Sequence, residues 1–165
     1  MSAVAEAPLF QQTTLAELPV EHLLDLAVEL DPPHAFPTPM GARMTMVVRG
    51  GTFEGPRLRG ELLPGGGDWI LAGSDGIGRL EVRATMKTDD GALIHFESRG
   101  KGKVSPEWME RLNAGKRIPF DQSYIRTTPS LETGDELYAW LNELVVIGVN
   151  ELSPDHVDYR LYAVL

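Results

Sequence analysis

The chain has no cysteine among its 165 residues. Disulfides and thiolate metal sites are therefore excluded, and a reducing cytoplasm is the expected setting. No run approaches the ~18 apolar residues of a membrane span. Met1 to Gln12 lacks a basic stretch followed by an apolar run, so no signal peptide is expected. Bases are scarce beside acids: 15 Lys and Arg stand against 24 Asp and Glu, for a net charge of -9. That balance argues against general affinity for nucleic acid or an anionic membrane. The four histidines, His22, His34, His95 and His156, lack metal-ligand spacing, so no metal site is expected.

Glycine is plentiful, and its densest run is "LLPGGGDW", Leu62 to Trp69. A phosphate-binding loop would continue with Lys-Ser or Lys-Thr and a helix. Here Asp68-Trp69-Ile70-Leu71-Ala72 reads as strand. "GSDGIG" at Gly73 to Gly78 has the wrong glycine spacing for a dinucleotide fingerprint. Ala72 stands where a nucleophile elbow at Ser74 would need its first glycine. The run "RGKGK" at Arg99 to Lys103 reads as a solvated basic loop. No cofactor motif is present. The triple glycine is expected to be a hairpin turn, with Asp68 opening the next strand.

Short β-like runs recur between glycine-rich breaks: Arg43–Arg49, Leu58–Leu63, Asp68–Ala72, Gly78–Thr88 and Ala92–Gly100. Leu23–Leu30 suits a strand or a short helix; the strand is preferred because "DPPHAFPTP" follows, four prolines that impose an extended loop. Leu144–Val149 and Val157–Leu165 form a terminal hairpin around Ser153-Pro154-Asp155. One helix is well marked, with Ser105 as N-cap, Pro106 at its first position, Glu107 in the first turn and Gly115 ending it. Trp108, Met109 and Leu112 are its expected buried face. A second short helix is expected in "DELYAWLNE", Asp135 to Glu143. The pattern predicts a mainly all-β domain at residues 21–165, behind a loosely held arm at 1–20, and a meander closing into a sandwich or barrel.

The hairpin around "TDDGA" can be registered. A two-residue loop would set Arg83 opposite Ser98 and Met86 opposite His95. A three-residue loop with Gly91 left-handed sets Thr85 opposite His95, Arg83 opposite Glu97 and Glu81 opposite Arg99. Only the second separates polar from apolar faces and pairs opposite charges. The resulting ladder has two readings, a solvated outer face or the wall of a polar barrel interior.

Several strings taken together resemble a known family: "GGTFEGPRLRGELLPGGGDW", "EVRATMKTDDGALIHFESRG" and "YIRTTPSLETGDELYAWLN". They look like the small family called domain of unknown function 3237, or uncharacterised protein family 0311. The likeness runs from about Gly50 to Asn142. Departures are Leu131, where the family usually has an aromatic before "ETG", and Ile125-Arg126 in place of "FR". The resemblance implies an antiparallel calycin- or lipocalin-like β-barrel of about 8–10 strands with one or two short helices and an internal cavity. It adds weight to Asp68, Arg83, Tyr124, Arg126, Glu132, Tyr138, Trp140 and Asn142, and moves the Arg83 ladder toward a pocket wall.

Three functions follow. The first is a cofactor-independent acid–base enzyme, of lyase, dehydratase, isomerase or cyclase type, acting on an apolar carbonyl compound. Arg83, His95, Glu97 and Tyr124 would be its catalytic set; Asp68, Arg126, Glu132, Tyr138, Trp140 and Asn142 would bind the ligand. The second is a non-catalytic carrier of a small organic ligand. The third is a structural or oligomer-forming barrel filled by its own side chains, with a homodimer formed through an exposed final strand as one form. Trp108 would close a barrel mouth in the enzyme reading.

Overall fold

The computed structural model describes residues 17–103 and 105–165. The N-terminal arm expected from the sequence falls mostly outside them. Nine antiparallel strands form one sheet: β1 Val20–Leu30, β2 His34–Thr38, β3 Gly41–Glu54, β4 Arg59–Ala72, β5 Ile77–Thr88, β6 Leu93–Lys103, β7 Ile125–Glu132, β8 Val146–Leu152 and β9 His156–Val164. Spatially the order is β1-β9-β8-β7-β6-β5-β4-β3-β2, and β1 also pairs with β3. Eight strands therefore close into a barrel, and β2 hangs from β3 as an extra edge strand. Closure removes the open edges that an ordinary sheet must protect. The "DPPHAFPTP" segment, expected as a loop, forms β2 instead; Pro37 is tolerated there because an edge strand has one unpaired side. Among the described residues no helix is long and apolar enough to cross a membrane.

Side-chain alternation sets the two faces. Leu24, Leu26, Val28, Met86, Ile94, Phe96 and Leu161 are buried and point inward. The edge-to-face contact between Phe96 on β6 and Tyr159 on β9, with ring centroids 6.0 Å apart, crosses the interior between strands that are not neighbours. One barrel end is closed by a 3-10 helix, Glu136–Glu143, where the second helix was expected. It buries Tyr138 and Leu141, while Asp135 caps it by accepting from the Leu137 N–H at 2.9 Å.

The three-residue hairpin register holds. Thr85 pairs with His95, Arg83 with Glu97, Glu81 with Arg99. Thr88 N–H donates to the Ala92 carbonyl at 2.9 Å, and Gly91 sits at φ +96°. The Thr88 hydroxyl also bonds the Asp90 carboxylate, which fastens the turn.

The triple glycine is not a hairpin turn. Arg59–Ala72 is one continuous strand, and the expected pair Leu58–Leu63 and Asp68–Ala72 are its two halves. From Leu63 to Gly67, β4 takes four steps while β5 takes only two, from Thr85 to Arg83. The two surplus residues make a bulge that bends the strand round a barrel corner. Gly65 adopts φ +108°, and a Cβ on Gly66 would lie 2.3 Å from the Arg83 carbonyl oxygen. Locally a glycine-rich bulge and a glycine-rich turn look alike; only pairing on both flanks tells them apart. Gly66→Ala must push the β4 and β5 backbones away from each other, so it is expected to cost about 1–3 kcal/mol by urea denaturation. Gly134→Ala, with open space around its added Cβ, should be near neutral in the same assay.

The marked helix, α1, spans Pro106–Asn113 with Ser105 as its cap and Gly115 beyond it at φ +73°. Its expected burial does not hold. Trp108, Met109 and Leu112 are not buried, and neither is any other α1 residue. α1 therefore adds no side chain to the barrel core, and Trp108 is half-buried. Core-facing positions are already taken by the strands and the 3-10 helix.

Candidate functional site

Most inward positions are apolar, and five that are not lie in the half of the barrel away from the 3-10 helix. Asp68, Ser98, Thr127 and Asn150 are all buried, and Tyr159 joins them from β9. The even number of steps through the β4 bulge keeps Asp68 on the same face as Leu62. Asn150 is the β8 cross-strand partner of Tyr159. The Thr127 hydroxyl donates to the Asn150 side-chain oxygen Oδ1 at 3.3 Å. Gly100 and Gly148 flank Thr127, and a Cβ on either would collide with its side chain. Those two glycines make the room that Thr127 occupies.

Asp68 is the chemical focus. Burial pushes its carboxyl up to about 6, while a backbone hydrogen bond from Glu81 pulls the other way. One carboxylate oxygen has no hydrogen-bond partner, and neither does the Ser98 hydroxyl. Tyr159 is raised above the ordinary phenol range, first by burial and then by the facing Asp68 charge. It keeps its proton and remains a donor. A carboxyl poised near neutrality beside a protonated phenol can exchange a proton with a bound molecule and stabilise an oxygen that gains charge.

The other expected site residues lie elsewhere. Arg83, His95 and Glu97 face outward, so the reading that placed their ladder on a pocket wall is corrected. Apolar alternation puts Ala84, Ile94 and Phe96 inside and the charges outside. Arg83 binds the Glu81 carboxylate and lies 6.0 Å from the Trp69 ring centroid; His95 reaches Glu97 at 3.9 Å. Glu132 is the outward partner of His95 on β7. Tyr124 and Arg126 are also outside the barrel, with the Arg126 guanidinium 4.8 Å from the Tyr124 ring and 4.5 Å from that of Phe120. Tyr138, Trp140 and Asn142 hold the closed end together. Tyr138 donates to Asp90 at 3.0 Å, Arg57 stacks on Trp140 at 3.6 Å, and the Asn142 amide bonds both backbone groups of Thr133. Of the ten residues singled out, Asp68 alone lies in the polar interior.

Ser98, Thr127, Asn150 and Tyr159 escaped the sequence reading. A polar residue in phase with an apolar stripe was the available signal: Ser98 follows Ile94 and Phe96, and Asn150 follows Val146 and Gly148. The expectation of an internal cavity also meets a different landscape. An open concavity of about 1090 Å³ lies on the outer face of β1, β3, β8 and β9, with the Arg117–Phe120 segment as one wall. Its arginines are already engaged. Arg160 donates to both Asp25 oxygens at 2.7 and 2.8 Å, Arg59 meets Asp89 at 2.8 Å, and Arg117 pairs with Glu151. Asp25 is accordingly held below the usual carboxylate range by Arg160. Each arginine of the groove already has a carboxylate partner, whereas the interior layer leaves two oxygens waiting. On that ground the interior is the stronger candidate.

Comparison with known proteins places this geometry. A family model described as "Protein of unknown function (DUF3237)" matches residues 18–164. A UPF0311 protein of Clostridium acetobutylicum is 27% identical over 154 residues, covering 92% of this chain and 98% of its own. The crystal structure of a conserved protein of unknown function from Rhodopseudomonas palustris superimposes with a TM-score of 0.84 at 25% identity, over 90% of this chain and 99% of that one. A structure described as an enzyme from Penicillium herquei shares the fold with a TM-score of 0.63 at 17% identity, over 87% and 94% of the two chains.

Proposed function

This chain belongs to the DUF3237 family, and from that premise we propose that its barrel binds a small apolar carbonyl compound and moves a proton on it without a cofactor. The observation that supports this is Asp68: buried, one oxygen unpartnered, its carboxyl raised to about 6. In this reading the Asp68 carboxylate takes a proton from the carbon beside the carbonyl. The Tyr159 phenol donates a hydrogen bond to the oxygen as it becomes an enolate, and Asn150 orients the phenol. The proton then returns from Asp68 to another atom of the same molecule, which makes the net reaction an isomerisation. The Penicillium herquei neighbour lends support only at the level of fold, because a barrel of this shape is called an enzyme there.

The test does not need the natural substrate. Enolisable aryl ketones are incubated with the protein in D2O, and loss of the proton signal beside the carbonyl is followed by NMR. Catalysed exchange is expected, with Asp68→Asn slower by about 100-fold or more at unchanged far-UV circular dichroism. Equal exchange by the variant would remove Asp68 from the chemistry. Saturable binding with no exchange would favour the carrier reading. Neither binding nor exchange would favour a barrel whose interior serves packing alone.

A further inference from the structure

Asp68, Val82 and Ser98 occupy one row across β4, β5 and β6, because Asp68 pairs with Val82 and Val82 with Ser98. All three are buried. Adjacent strands lie about 4.8 Å apart, so the outer two backbones are roughly 10 Å apart along the wall, and their side chains converge toward the axis. The two ends of this row carry the two unsatisfied oxygens of the interior layer, Asp68 Oδ1 and Ser98 Oγ. The middle carries an isopropyl group. A buried hydroxyl or carboxylate without a partner is unfavourable, so two in one row mark places where a ligand's polar groups belong.

Beyond Ser98 the inward positions of β6 are Gly100, whose vacant side-chain space is taken by Thr127, and Gly102, which the Ile125 side chain covers. Met44, Ile70, Leu80 and Leu152 are half-buried around the same end and give it an apolar rim. The surroundings of the row therefore suit an apolar body, and the row itself suits two oxygen functions at its ends.

We propose that the row is a two-point site for hydroxyaryl ketones: Ser98 donates to the ketone oxygen, Asp68 accepts from the hydroxyl, and the ring lies over Val82. This rests on the interior being a ligand site and names the ligand class; with Asp68 on the hydroxyl and Ser98 on the ketone it is a binding mode separate from the proton transfer proposed above, and it requires no reaction. The hydroxyl end is assigned to Asp68 because an ionised carboxylate only accepts, and the ketone end to Ser98 because its hydroxyl can donate.

The probes are 4-hydroxyacetophenone, 4-ethylphenol, which lacks the ketone, and acetophenone, which lacks the hydroxyl. Affinities are measured by calorimetry for the wild type, Ser98→Ala and Asp68→Asn. The wild type is expected to prefer 4-hydroxyacetophenone about tenfold over each analogue. Ser98→Ala should erase the margin over 4-ethylphenol while leaving 4-ethylphenol binding intact. Asp68→Asn should shrink the margin over acetophenone while leaving acetophenone binding intact. Equal affinity for all three probes overturns the two-point site, as does a Ser98→Ala protein that keeps its full preference. So does failure of every probe to bind, together with a crystal structure in which an ordered water joins Asp68 to Ser98. Discrimination without proton exchange would leave this site standing and remove the catalytic reading. Proton exchange without discrimination would do the reverse.

Discussion

Asp68→Asn is expected to make the protein more stable near neutral pH while removing its proposed activity. A carboxyl raised from 3.8 to about 6 binds its proton more tightly in the folded chain than in the unfolded one. Stability from this group is therefore full below about pH 4, and is lost as pH rises through 6. A shift of about two units is worth roughly 3 kcal/mol across that window. The wild type should lose about that much between pH 4 and 7.5 relative to Asp68→Asn, read from urea midpoints in the two buffers. The difference between the proteins matters, because Asp25, Asp75, Asp90 and Asp155 are held low by their own partners and titrate alike in both. Parallel pH profiles would mean that Asp68 is hydrated and titrates normally. Divergent profiles would show a buried charge kept at a cost to the fold, the usual mark of a site retained for function.

Phe96→Ala is expected to cost about 3–5 kcal/mol, a large fraction of what holds a domain of this size together. Phe96 is wholly buried and meets the edge of Tyr159 across the interior. Met86 and Ile94 are equally inaccessible, so the void left by the ring has little freedom to collapse. Chemical denaturation measures the loss. A cost below about 1 kcal/mol would indicate that the interior around Phe96 is already roomy, as in a lipocalin-like cavity. The full cost would confine any ligand space to the polar half beyond it.

The barrel was legible because its local devices agree. The hairpin from Glu81 to Arg99 declares its register through charge pairing on one face and apolar residues on the other, and the structure follows it residue by residue. Ser105, Pro106 and Gly115 bound α1 as helix chemistry requires. What failed was anything dependent on which strands meet. The Gly65–Gly67 bulge reads as a turn until β3 and β5 are seen pairing on both sides. Arg83, His95 and Glu97 form a cluster rich in functional groups, yet alternation with Ala84, Ile94 and Phe96 puts that cluster on the outside. The interior layer draws on β4, β6, β7, β8 and β9, and no single strand holds more than one of its members. Asp68 drew notice through the family likeness; Ser98, Thr127, Asn150 and Tyr159 each look like an ordinary strand residue until the barrel closes.

Closure also governs how the molecule can be assembled. Among the described residues the first strand, β1, pairs with the final one, β9, from Val20 beside Val164 to Glu29 beside His156. Pro19 then accepts from the Leu165 backbone at 3.0 Å. Every pairing that does not involve β9 is available earlier, so a growing chain carries an unsealed ribbon with a sticky edge on β1 until β9 emerges. Pairings this distant in sequence are slow to form and leave a half-made barrel exposed to other chains. Shortening the chain by its last strand would therefore trap that ribbon permanently, and the truncated product should accumulate in aggregates rather than as a smaller folded domain.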